Sequence, residues 1–369
     1  MSIDAHAHAF PYVGGKGMYQ SAEEHLRYIQ LNMTLHPQGG RRFRDNVAVK
    51  EPPTLWDGKT PGLGGLLEVG FQVGRFGRFE WEKDGERYYI QFFPPTLDDM
   101  IATPERMLAQ MQYAGVDRAV LQFAKLYGIT YEYMGDVMKR WPDKFRCCTA
   151  VTEKDADKPE QIDALRRSVR DMGMTALYYS APAEGRYLDD EAYTPFWEEV
   201  AALGIPVIWD IRWAARRFDH GHYMAQVARL HRHLRRFSKI RNILSHGMPA
   251  NAFDTAGKMP DPLWAMLKEP NIVVELLIPL LYGAKWEYPY VEAQPMIREL
   301  YQRLGATKLI WGADMPNVER SCTYPQSLDY LRKHCGFIKA SDMDTILGSN
   351  AEEIFFSLKP SGLGGDRTS

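Results

Sequence analysis

Cysteine is scarce in this chain: four residues in 369, none spaced as Cys-x-x-Cys. That excludes a disulfide scaffold and the cysteine-based zinc and redox motifs, and Cys147-Cys148 falls inside an apolar run that reads as a buried strand. An excess of one charge is missing too. Lys and Arg number 45 against 47 Asp and Glu, a formal net charge of −2, which gives no reason to expect nucleic acid or an anionic membrane as partner. No apolar run approaches the ~18 residues of a membrane span, and the first residues lack the basic-then-apolar layout of a secretory signal. A soluble, cytoplasmic protein is expected. What the chain does have is core material, 45% hydrophobic against 25% charged, which suits one large barrel or two domains.

The stretch that organises the rest is Asp4-Ala5-His6-Ala7-His8. Side chains alternate faces along a strand, so His6 and His8 point the same way, about 7 Å apart. Two converging imidazoles are half of a metal site. A long, non-periodic segment over 9–96 follows. It carries the run Gly39-Gly40-Arg41-Arg42-Phe43-Arg44, the glycine-dense Pro61–Gly65, and a hairpin with arms at Phe79–Glu82 and Arg87–Phe92. So long a connection reads as an insertion that covers a site.

From Thr103 the pattern becomes regular. Strands are expected at Asp117–Phe123, Phe145–Val151, Thr175–Tyr179, Pro206–Arg212, Ile240–His246, Ile272–Leu277 and Lys308–Asp314, with helical periodicity between them. With the opening strand these make eight βα units, and eight such units close into a barrel. The doubly wound alternative needs a Gly-rich turn after its first strand, and none is present. The expected fold is therefore α/β, a (β/α)8 TIM barrel with a long insertion after strand 1. One barrel domain spans 1–359 including the insertion 9–96, and a flexible tail covers 360–369.

In such a barrel the reactive groups gather at the C-terminal ends of the strands. That rule selects His6 and His8, Asp210 and Arg212, His246, Glu275 and Asp314. Asp314 and Glu275 emerge directly from apolar runs, where a carboxylate is costly without a cation or hydrogen-bond partners.

These residues carry a resemblance. Asp4-Ala5-His6-Ala7-His8 resembles the amidohydrolase superfamily, in particular the amidohydrolase-related branch that includes aminocarboxymuconate-semialdehyde and resorcylate decarboxylases. The likeness extends through Ala114–Val120, Gly204–Val207, Ser245-His246-Gly247, Trp311–Pro316 and Leu347–Ala351. It implies His6, His8 and Asp314 as metal ligands, with His246 beside them as ligand or catalytic group. Two departures stand out: Asp210 replaces the histidine that usually ends the fifth strand, and Glu275 adds a carboxylate on the seventh. Harder oxygen donors favour iron or manganese over tetrahedral zinc, and mixed His/carboxylate sets suit paired irons. With the run Met315–Arg320, this set is similar to the TIM-barrel nonheme diiron monooxygenases, which implies hydroxylation of a coenzyme A-linked acid.

Two readings result. In the first, His6, His8, Asp210, His246, Glu275 and Asp314 hold two iron ions, and dioxygen and an electron donor are required. In the second, one zinc or manganese ion serves a decarboxylase or hydrolase of a small aromatic carboxylate, with His246 or Asp314 moving the proton. Arg212 and Arg217 are candidate contacts to a carboxylate or to coenzyme A phosphates. A homodimer is compatible with this kind of barrel. His220 and His222 read as a helix-terminal pair, Glu68 as a loop acid, and His231 and His233 as part of a solvated basic helix face with Arg232, Arg235 and Arg236.

Overall fold

A computed structural model describes residues 1–34, 36, 39–49, 54–181, 187–211, 220–246 and 258–357. In chain order, β1 (Ile3–Ala7) and α1 (Ala22–Met33) are followed by β2 (Arg41–Arg42), β3 (Gln72–Val73), β4 (Arg78–Lys83) and β5 (Glu86–Gln91). The regular part comprises α2 (Pro104–Ala114), β6 (Arg118–Leu121), α3 (Tyr131–Arg140), β7 (Phe145–Thr149), α4 (Pro159–Arg170), β8 (Ala176–Ser180) and α5 (Thr194–Leu203). It continues with β9 (Val207–Asp210), α6 (His220–Arg236), β10 (Asn242–Ser245), α7 (Asp261–Leu267), β11 (Ile272–Leu276) and α8 (Ile278–Tyr282). Last come α9 (Gln294–Leu304), β12 (Leu309–Trp311), α10 (Tyr324–Arg332) and α11 (Ala340–Asp344). No helix among the described residues is long and apolar enough to cross a membrane.

The chain divides into two compact units. The first comprises Met1–His8, Leu108–Phe123 and the chain from Tyr131 on. Its eight strands form one parallel sheet in the order β1-β6-β7-β8-β9-β10-β11-β12. The seam between last and first strand is closed by the backbone: Asp314 N–H donates to the His6 carbonyl at 2.6 Å and His8 N–H to that of Met315 at 2.7 Å. A TIM barrel results, with strands where the apolar runs predict them. Parallel strands covered on both sides need no alternation of polar residues, and β1, β9, β10 and β12 are buried at every position. After α11 the chain continues in wider helical turns at Thr345–Ser349 and Glu352–Phe356. There Asn350 donates its side-chain N–H groups to the carbonyls of Ala306 and Leu309, both at 2.8 Å, fixing the approach to β12.

The second unit comprises Ala9–Met107 and Ala124–Thr130. Its antiparallel sheet, β2-β5-β4-β3, is built on the predicted hairpin, β4 pairing with β5 from Arg78–Gln91 to Lys83–Glu86. Phe10, Phe92, Phe93 and Tyr127 pack with ring centroids about 5–6 Å apart. The segment read as non-periodic contains α1, capped by the Ser21 side chain. Its buried positions include His25 and Gln30, polar residues that hide the apolar period. Both are satisfied by backbone: His25 lies between the carbonyls of Gly15 and Leu126, at 2.6 and 3.1 Å, and Gln30 donates to those of Leu55 and Leu67.

Candidate metal centre

β1 carries Asp4 and His6, with His8 just past its end, and its pairing with β6 shifts register between Asp4 and Ala7. Asp4, His6 and His8 are all buried. His246 and Asp314 stand where the chain leaves β10 and β12, and both have left-handed backbone, with φ of 50° and 62°. That conformation costs of order 1 kcal/mol outside glycine, and Asp and His are among the side chains that tolerate it. The kink brings each side chain toward the His6 imidazole. One ligand atom each from His6, His246 and Asp314 lie within 4.8 Å of one another, all three side chains buried. His8 adds its Nε2 at 3.0 Å from Asp314 Oδ1, and the His6 and His8 rings meet edge to face at 5.1 Å.

The neighbours of this cluster set which ring nitrogens face inward. His8 Nδ1 lies 3.1 Å from the Gln122 carbonyl, which can only accept, so Nδ1 carries a proton and Nε2 faces Asp314. His6 Nδ1 lies 3.0 Å from Glu275 Oε2, and its Nε2 is 3.9 Å from Asp314 Oδ1. Ser245 Oγ sits 3.2 Å from the Nδ1 atoms of both His6 and His246. His246 Nε2 is 3.5 Å from Asp314 Oδ2, and its Nδ1 is 3.6 Å from Asp210 Oδ2, which accepts the Tyr178 hydroxyl at 3.0 Å. Asn317 donates to Asp314 Oδ1 at 2.7 Å. Burial pushes Asp314 up, but the charge of His6 and hydrogen bonds from His246 and His8 outweigh it and hold the carboxyl well below its usual range. Burial dominates at Glu275 and raises it to about 7.

A divalent ion fits this arrangement. Donor atoms bound about 2.1 Å from an ion stand up to ~4 Å apart, so the cluster needs only a small contraction. Imidazoles with a carboxylate suit first-row metals such as manganese, iron or zinc, and Glu275 Oε1 is buried with no hydrogen-bond partner, an arrangement that nearby positive charge would relieve.

Of the residues selected from sequence, His6, His8, His246 and Asp314 converge directly, Glu275 stands against His6, and Asp210 stands against His246. Arg212 and Arg217 lie outside the described residues. His220 and His222 occupy the first turn of α6, partly exposed, and Glu68 makes an exposed ion pair with Arg27 at 2.6 Å. On α6, Arg232, Arg235 and Arg236 are exposed as the basic-face reading expects, and the correction falls on His233. His233 is buried among Trp197, Trp209 and Phe237 with ring centroids 4.5–5.0 Å away. Arg232 and Arg235 are ion-paired with Asp189 and Glu269, which also binds His231.

Sequence reasoning missed Asp4, Gln122, Ser245, Gly312 and Asn317. For Asp4 the signal was present, since strand alternation puts positions 4, 6 and 8 on one face. Gly312 carries none: a Cβ there would stand 2.4 Å from Glu275 Oε1 and 2.8 Å from His6 Cβ, a constraint visible only in three dimensions.

A closed parallel barrel with buried histidines and acids at its strand ends is an enzyme scaffold. The chain belongs to the amidohydrolase family, whose model matches residues 3–356. Among solved structures, 5-carboxyvanillate decarboxylase from Sphingomonas paucimobilis shares the fold at 18% identity and TM-score 0.52, covering 70% of this chain and 84% of that one. The 2,6-dihydroxybenzoate decarboxylase from Rhizobium matches at 16% identity and TM-score 0.52, covering 70% and 89%. A dihydroxybenzoic acid decarboxylase from a Polaromonas species, solved with manganese and 2-nitroresorcinol, matches at 16% identity and TM-score 0.53, covering 72% and 89%. No curated protein matches this chain.

Proposed function

We propose that this protein is a metal-dependent decarboxylase of a small hydroxylated aromatic acid. The observation that carries the reading is the buried His6–His246–Asp314 cluster, with His8 alongside, sized for one ion in a fold shared with aromatic-acid decarboxylases. His6, His8 and Asp314 would hold a divalent ion, with His246 beside it, and the ion when bound supplies a Lewis acid able to polarise and orient a substrate carboxylate. The chain's own part is to seal the site and manage one proton. Loss of carbon dioxide breaks the ring–carboxylate bond and requires a proton at that ring carbon: ArCOO− plus H+ gives ArH plus CO2. His246 Nε2, 3.5 Å from Asp314 Oδ2 and left off the ion, is placed to hold and deliver it. Burial strengthens these interactions by keeping water away.

A second reading draws on donor number. Asp210 and Glu275 bring two further buried carboxylates beside the cluster, a supply that would serve two irons in an oxygenase acting on a coenzyme A-linked acid.

One set of measurements separates the two. Purified protein loaded with manganese is expected to bind about one ion per chain and to release carbon dioxide from a member of a hydroxybenzoate panel. No release with any panel member, together with two tightly held irons and reductant-dependent oxygen uptake, would overturn the decarboxylase in favour of the oxygenase.

A further inference from the structure

Glu275 has one carboxylate oxygen engaged and one not. Oε2 lies 3.0 Å from His6 Nδ1, both side chains being sealed from solvent, and Oε1 is buried without a hydrogen-bond partner. Nδ1 is the nitrogen on the far side of the ring from the cluster, for it is Nε2 that lies 3.9 Å from Asp314.

We propose that Glu275 is a positioning residue: its carboxylate accepts the Nδ1–H of His6 and holds the imidazole with Nε2 bare and directed at the metal, without ligating the ion itself. The inference rests on the metal-centre reading above. A carboxylate on the outer nitrogen of a ligating histidine fixes the tautomer and the ring's orientation and makes the inner nitrogen a better donor. The hydrogen bond is charge-assisted, and in a buried setting it resists rotation of the ring more than a neutral acceptor would.

Gly312 supports the assignment independently. A Cβ there would meet both Glu275 Oε1, at 2.4 Å, and His6 Cβ, at 2.8 Å. The end of β12 is thus stripped of a side chain at the point where this pair sits. Ser245 Oγ, 3.2 Å from His6 Nδ1, braces the ring from β10. His6 is therefore held from β10 and β11 while belonging to β1.

The test measures metal affinity and coordination, not turnover. Wild type, Glu275→Gln and Glu275→Asp are stripped with chelator and titrated with Co2+, reading the binding constant and the visible spectrum, and apo melting by circular dichroism reports folding. Glu275→Gln is expected to bind about 10- to 100-fold more weakly and, once saturated, to give the wild-type cobalt spectrum, because the ligands are unchanged. Glu275→Asp keeps the charge but is one methylene shorter, and its affinity is expected to fall in between. A changed cobalt spectrum in Glu275→Gln overturns the proposal by making Glu275 a ligand. Unchanged affinity overturns it by making the contact idle. If Glu275→Gln does not fold, the same two readouts on Glu275→Asp decide the matter. A wild-type protein that binds no cobalt removes the metal centre itself, an outcome distinct from either.

Discussion

Asp4 Oδ1 accepts the backbone N–H of Ala313 at 2.9 Å, so the first barrel strand is fastened to the last at the residue before Asp314. The same oxygen takes the His6 N–H at 2.9 Å, and Oδ2 takes the Tyr324 hydroxyl at 2.8 Å. Burial still wins over these bonds and pushes the carboxyl up to about 7. A side chain outside the ligand cluster thus sets the separation between the strand that carries the paired imidazoles and the turn that carries the acid.

Removing it should therefore cost both stability and metal. Asp4→Ala leaves Ala313 N–H, His6 N–H and the Tyr324 hydroxyl without their buried acceptor. Each stranded donor costs about 1–3 kcal/mol, so a total destabilisation of ~3–5 kcal/mol is expected after relaxation, with weakened metal binding. Asp4→Asn keeps one acceptor oxygen and should lose far less. Urea unfolding of the metal-free proteins measures the first effect and chelator competition the second. Equal stability of Asp4→Ala and wild type would refute the seam argument.

At Gly312 the expectation is steric. In Gly312→Ala the new methyl must displace Glu275 Oε1 and His6 Cβ, which stand 2.4 and 2.8 Å from its ideal position. Overpacking of this kind costs about 1–3 kcal/mol, and here the atoms that move belong to the site. Metal affinity should fall while secondary structure by circular dichroism is retained. A Gly312→Ala protein with wild-type metal affinity would show that the pocket around His6 yields without consequence.

The barrel was legible because its strands are enclosed, so that they read as short apolar runs, and because the runs end in residues such as His246 and Asp314 that burial would otherwise disfavour. The insertion's hairpin was legible from the turn at Asp84-Gly85, where both residues have left-handed backbone. The helix at Ala22–Met33 was not, since its inner face uses His25 and Gln30 against backbone carbonyls in place of an apolar stripe. His233 misled for the converse reason. Its helix neighbours are arginines, while its burial comes from Trp197 on α5 and Trp209 on β9, residues distant in sequence. Glu275 was visible as a candidate, but its place on the outer nitrogen of His6 depends on a pairing 269 residues apart.

His233 also predicts a pH dependence. Burial, helped by the Arg236 charge and opposed by Asp189, lowers it from 6.5 to about 3. Above pH 6.5 the imidazole is neutral whether the chain is folded or not and contributes no slope. Between pH 6.5 and 3 the unfolded chain binds a proton that the folded one refuses, so stability falls as pH falls, by up to ~1.4 kcal/mol per unit. His233→Phe, an aromatic replacement in an aromatic cage, should lose ~2 kcal/mol less than wild type between pH 8 and pH 5. Urea unfolding at the two pH values measures it. Parallel losses in the two proteins would mean that His233 is protonated in the folded state or exposed.

Metal should stabilise the fold, and the acid of the cluster should be needed for it. An ion that binds only the folded chain adds RT ln(1 + [M]/Kd), about 2.7 kcal/mol at a hundredfold excess over Kd, which for a chain of this size means a rise of several degrees in Tm. Chelator-treated wild type is accordingly expected to melt lower than the same protein with Mn2+. Asp314→Asn keeps the side chain's shape and an oxygen to accept from Asn317, so its apo form should fold. It withdraws the negative charge that lies 3.0–3.9 Å from His6, His8 and His246, and its Tm should barely respond to Mn2+. A wild-type Tm indifferent to Mn2+, Zn2+ and Fe2+ alike would leave the convergence of these side chains without a cation to explain it. A full response in Asp314→Asn would place the ion elsewhere.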